Sequence, residues 1–84
     1  MTTKQATLLS KITELVAGEE REFLEFMAES ANSANDYSKY SLEDLLSSFI
    51  EFEEAENGEE LTPEIMDDVL PIYVEGFESG EGIF

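Results

Sequence analysis

Histidine and cysteine are both missing from this chain, and basic residues are scarce, with four Lys and Arg against 21 Asp and Glu. Without Cys there is no disulfide framework, no thiolate zinc site and no thiol nucleophile. Without His the usual general base near neutral pH is gone, along with the commonest transition-metal ligand. Catalysis would have to rest on carboxylates alone, so the expectation is a protein that is not an enzyme and carries no cofactor or metal. The shortage of Lys and Arg argues against direct nucleic-acid binding, which depends on phosphate contacts. It argues equally against adsorption to an anionic membrane. No long apolar run is present either. The N-terminus, Met1-Thr2-Thr3-Lys4-Gln5, leads straight into a periodic segment, so neither a signal peptide nor a membrane span is expected and the protein is placed in the cytoplasm.

What remains is an 84-residue chain of net charge -17. Such acidity can signal disorder, but 42% hydrophobic residues and nine aromatics, six Phe and three Tyr, favour a folded domain. At this length there is room for one domain, burying about 60–65% of its unfolded surface. The charge is uneven. Residues 1–39 hold seven acids and all four basic residues (Lys4, Lys11, Arg21, Lys39), whereas residues 40–84 hold fourteen acids and no base.

Hydrophobic periodicity predicts a small all-α bundle of three to four helices. The first spans about Thr3 to Ala17, with Leu8, Leu9, Ile12, Leu15 and Val16 on one face and Gly18 closing it. The second spans Glu19 to Ala31, turning Phe23, Leu24, Phe26 and Met27 inward. Asn32 to Tyr40 is rich in turn formers and reads as a loop. Ser41 is an N-cap for the third helix, whose Leu42, Leu45, Leu46, Phe49, Ile50 and Phe52 fill an arc of roughly 160°. Glu53 and Glu56 project back into that arc, which predicts that the helix frays or ends near there, with a turn at Asn57-Gly58. Thr62 and Pro63 start the fourth helix, and Pro71 is expected to kink or end it. Ile72-Tyr73-Val74 then continues as helix or forms a short strand. The predicted organisation is one helical domain over residues 1–77 and a flexible acidic tail over 78–84.

Acids recur on the outer faces. Glu22, Glu25 and Glu29 form a stripe on the second helix, and Glu43, Asp44, Glu51 and Glu54 lie opposite the apolar arc of the third. Like charges at these spacings cost about 0.2–0.5 kcal/mol per pair. Interleaved Lys would remove that cost, yet residues 40–84 contain none. A solubilising surface or adaptation to high salt is one explanation. The other is a surface built to meet cations. Carboxylates three or four residues apart are separated by about 4.5–6 Å along a helix, against one phosphate per 3.4 Å on a DNA strand.

In size, acidity and helical build the whole chain resembles small phage-encoded inhibitors of restriction or CRISPR effectors that mimic nucleic acid. That resemblance implies a non-enzymatic inhibitor or adaptor, monomeric or homodimeric and working in the host cytoplasm, that blocks the basic DNA- or RNA-binding site of a partner protein. The expected contacts are Glu43, Asp44, Glu51, Glu54, Glu59, Glu60, Glu64, Asp67 and Asp68, then Glu22, Glu25 and Glu29. Three shorter resemblances stand beside it. Ser41-Leu42-Glu43 opening an acidic helix, with Glu60-Leu61-Thr62-Pro63-Glu64 following, resembles acyl carrier proteins and implies phosphopantetheine on Ser41; Tyr40 departs from the Asp that precedes the Ser in that family. Glu53 to Glu64 is similar to an EF-hand loop at Asn57, Gly58 and Glu64 but has Ala55 where a ligand is needed, so no tight calcium site is expected. Glu81-Gly82-Ile83-Phe84 resembles the acidic tips of bacterial single-stranded-DNA-binding proteins.

Overall fold

The computed structural model describes residues 1–31 and 36–80. They form four α-helices, α1 (Thr3–Leu15), α2 (Glu20–Ala31), α3 (Leu42–Asn57) and α4 (Pro63–Ser79), with a single 3₁₀ turn at Tyr37–Lys39 between α2 and α3. No strand occurs among the described residues. No helix there is long and apolar enough to cross a membrane.

The starts of α1, α3 and α4 are each fixed by a hydroxyl cap that satisfies amides the first turn leaves unpaired. Thr2 and Gln5 form a reciprocal capping box on α1, with Gln5 N donating to Thr2 Oγ1 at 3.1 Å and Thr2 N to Gln5 Oε1 at 2.8 Å. Ser41 and Asp44 do the same on α3, at 3.1 and 3.3 Å. On α4, Ile65 N donates to Thr62 Oγ1 at 3.3 Å and Pro63 occupies the first turn. Gly58 ends α3 in the left-handed region, at φ +71°, where a side chain would be strained. The first helix ends two residues earlier than its periodicity suggested, at Leu15, and Gly18 turns the chain with φ +84°.

Leu8 and Ile12 of α1, Phe23, Leu24 and Met27 of α2, Leu45, Leu46 and Phe49 of α3, and Met66, Leu70 and Val74 of α4 make one core. Phe77 sits edge-on to both Phe23 and Phe26, with centroids 5.6 Å apart in each pair, and so joins α4 to α2. The most extensive packing is α2 on α3 and α1 on α4, followed by α1 on α3 and α2 on α4. Helices α3 and α4 are therefore diagonal across the core, and their outer faces point to opposite sides of the bundle.

Two helices run through residues that could have broken them, each for a physical reason. The third helix passes Glu53 intact and ends at Asn57, at the expected Asn57-Gly58 turn. Glu53 is only 1% exposed. Its carboxylate accepts the Tyr73 hydroxyl from α4 and Asn57 Nδ2, the latter at 3.1 Å. A polar group can enter an apolar arc when partners of this kind await it. Of the two outcomes expected at Pro71, a kink or an end, the end does not occur, and α4 continues to Ser79. Proline removes only the N–H that would bond the carbonyl of Asp67, and both residues lie on the exposed side, where water can serve that carbonyl. Ile72–Val74 are helical, and residues 78 and 79 belong to the last turn of α4 rather than to a tail. The remaining tail residues, 81–84, lie outside the described residues.

Candidate functional site: the outer face of α4

The rise and period of a helix decide which carboxylates can act together. On α4, Glu64, Asp67, Asp68, Glu75 and Glu78 are all exposed and share the side facing away from the core. They span about 21 Å along the axis, averaging about 5 Å from one carboxylate to the next, with the widest gap, about 10 Å, between Asp68 and Glu75. The cation beside this row is Lys11 of α1, whose Nζ lies 2.6 Å from Asp67 Oδ1. Glu75 and Glu78 are absent from the contacts expected from sequence. Their spacing from Glu64 and Asp68 carried the signal, but with a kink or an end expected at Pro71 the two parts of the row were not joined.

The other expected contacts separate. On α3, Asp44 serves the capping box and Glu51 is exposed, while Glu43 stands 3.8 Å from the N-terminal amine. Glu54 faces α1 instead of solvent. Lys4 Nζ reaches it at 2.8 Å and Glu60 at 3.0 Å, and Leu61 N donates to Glu54 at 2.9 Å. Lys4 is raised above its usual range by the hydrogen bonds to Glu54 and then Glu60. Glu54 is correspondingly lowered, first by Lys4 and then by the Leu61 amide. This cluster ties the start of α1 to the α3–α4 connection, where Glu59 remains exposed. On α2, Glu22 and Glu29 are exposed, whereas Glu25 is half-buried with Oε1 3.6 Å from Arg21. Arg21 also donates to the carbonyls of Tyr40 at 2.6 Å and Ser38 at 3.2 Å, pinning the 3₁₀ turn onto α2.

Among the described residues, then, Glu25, Glu54, Glu60 and Asp67 have side-chain cations. Glu22, Glu29, Glu51, Glu59, Glu64 and Asp68 have none. Lys4, Lys11 and Arg21 are spent on internal pairs. Of the faces left open, that of α4 carries its acids over the greatest length, from Glu64 to Glu78.

Ser41 Oγ is occupied as the α3 cap, accepting from Asp44 N. The EF-hand-like stretch is divided: residues 53–57 form the last turn of α3, with Glu53 turned into the core. The C-terminal tip, residues 81–84, lies outside the described residues. The fold and site together define an acidic all-α bundle with one strongly anionic helix face. Compared with known proteins, the chain matches no protein family, no curated protein and no solved structure.

Proposed function

We propose that this chain is a non-enzymatic inhibitor or adaptor that acts in the cytoplasm by occupying the basic DNA- or RNA-binding site of a partner protein, in the manner of restriction or CRISPR inhibitors that mimic nucleic acid. The observation that carries this reading is the row on α4, five carboxylates along about 21 Å with Lys11 as the neighbouring cation. At about one carboxylate per 5 Å, its linear charge density is roughly two thirds that of one nucleic-acid strand, with a phosphate every 3.4 Å. Stability does not ask for this arrangement, because Glu64 with Asp67 and Asp68, and Glu75 with Glu78, repel at helical neighbour spacings. A cationic cleft would relieve that repulsion, release its own counter-anions and be approached quickly through electrostatic steering.

Affinity purification from the native host, followed by competition with DNA and RNA for the recovered protein, tests the reading. The expected result is mutually exclusive binding that weakens steeply from low to moderate salt. A partner that binds equally well with its nucleic acid already loaded contradicts it.

A further inference from the structure

Charge alone does not hold a partner in register, and the α4 face carries more than charge. Two large apolar side chains are left in solvent at this side of the molecule, Ile72 at 60% exposure and Leu15 at 43%. Leu15, Met66, Leu70 and Pro71 line a shallow cleft of about 90 Å³ between α1 and α4, bordered by the Lys11–Asp67 pair. Ile72 follows Pro71 directly. On the helix it neighbours Asp68, four residues before it, and Glu75, three residues after. The apolar positions thus flank the acidic row, Ile72 along one edge and the Leu15 cleft along the other.

We infer that this mixed face seats a cationic protein segment that inserts an apolar side chain between its Lys or Arg residues. Charge complementarity selects that occupant. A second copy of this chain brings another -17 and has three of its four basic side chains, Lys4, Lys11 and Arg21, already engaged. Nucleic acids and anionic membranes are repelled for the same reason. Exposed apolar groups rimmed by polar ones are the usual form of a protein contact, with the apolar anchor supplying affinity and the charges supplying rate and orientation. The inference rests on the cationic-partner reading above and adds where the anchor sits.

The test titrates the ¹⁵N-labelled protein at low salt with two equally charged peptides, one repeating Arg-Leu-Leu-Arg and the other Arg-Ser-Ser-Arg. The leucine peptide should bind about tenfold more tightly, the gain expected from burying one apolar side chain. Its amide shifts should centre on Leu15 and residues 68–76. That excess should fall to within about twofold in Ile72→Ser and vanish in Leu15→Ser/Ile72→Ser, with binding of the serine peptide unchanged and both variants folded by circular dichroism. Equal binding of the two peptides, or an excess that survives the double substitution with shifts centred on Glu22 and Glu29, overturns the inference and leaves the cationic-partner reading standing. Failure of both peptides to bind overturns both.

Discussion

Replacing Tyr73 by Phe removes one hydroxyl and leaves Glu53 with a single side-chain donor, Asn57 Nδ2 at 3.1 Å. Glu53 is 1% exposed, so water cannot take the place of the lost phenol. Hydrogen bonds to charged groups contribute about 1.5–3 kcal/mol, and orphaning a buried charged acceptor costs at least as much. We expect Tyr73→Phe to lose about 2–3 kcal/mol from a total on the order of 4–12 kcal/mol for a chain of this size. In thermal unfolding that is a fall in Tm on the order of 10–20 °C. Removing both partners should be far milder, since apolar groups of similar volume often replace a buried polar pair without net loss. The double variant Glu53→Met/Tyr73→Phe is therefore expected within about 1 kcal/mol of the parent. Urea unfolding followed by circular dichroism gives both numbers. The alkaline limb gives a second check. Burial, and then the Glu53 hydrogen bond and charge, raise Tyr73 above its ordinary value of 10.0. The stabilisation from its neutral phenol is full below the unfolded value and lost as pH rises through the folded one, at up to about 1.4 kcal/mol per pH unit for one proton. Tyr73→Phe should lack that part of the alkaline loss. A Phe variant as stable as the parent, with the same alkaline limb, refutes the reasoning.

Three further outcomes follow from the same geometry. Tm should rise between low salt and physiological ionic strength, where the Debye length is about 8 Å, because screening relieves the -17 self-repulsion; a flat or falling Tm contradicts the clustering of charge. Lys4→Met should lower Tm at neutral pH and flatten the acid limb. Glu54 is depressed by Lys4, so its contribution is present above the ordinary 4.5 and lost as pH falls through the folded value. An unchanged acid limb in that variant removes Lys4 from the account. Pro71→Ala should stabilise by about 1–2 kcal/mol, restoring an N–H to the Asp67 carbonyl while giving back some unfolded-state entropy; urea unfolding that shows a loss instead would mean that the proline shapes α4.

The elements set by local chemistry were legible in the chain. Ser41, Thr62-Pro63 and Asn57-Gly58 act over one turn, so the ends of α3 and the start of α4 could be read from neighbours alone. What could not be read depends on partners distant in sequence. Glu53 reads as a break because its donor, Tyr73, lies twenty residues away. Glu54 reads as a surface acid because Lys4, which claims it, is fifty residues away. Pro71 reads as a kink or a stop because its exposure is a tertiary fact, and with the helix left open beyond it Glu75 and Glu78 were not joined to the row they extend. The charge imbalance was visible at once. Which acids stay open was not, because that depends on how α1 lies against α3 and α4.

The central claim is that the outer face of α4, and not net charge as such, meets the cationic partner. It is tested by measuring the affinity of the recovered partner for two variants of identical charge change, Asp68→Lys/Glu75→Lys on α4 and Glu22→Lys/Glu29→Lys on α2. The α4 variant should lose at least about tenfold and the α2 variant less than about threefold, as interface charges act locally while distant ones only tune steering. Equal losses for the two variants, or none for the α4 variant, would contradict the account.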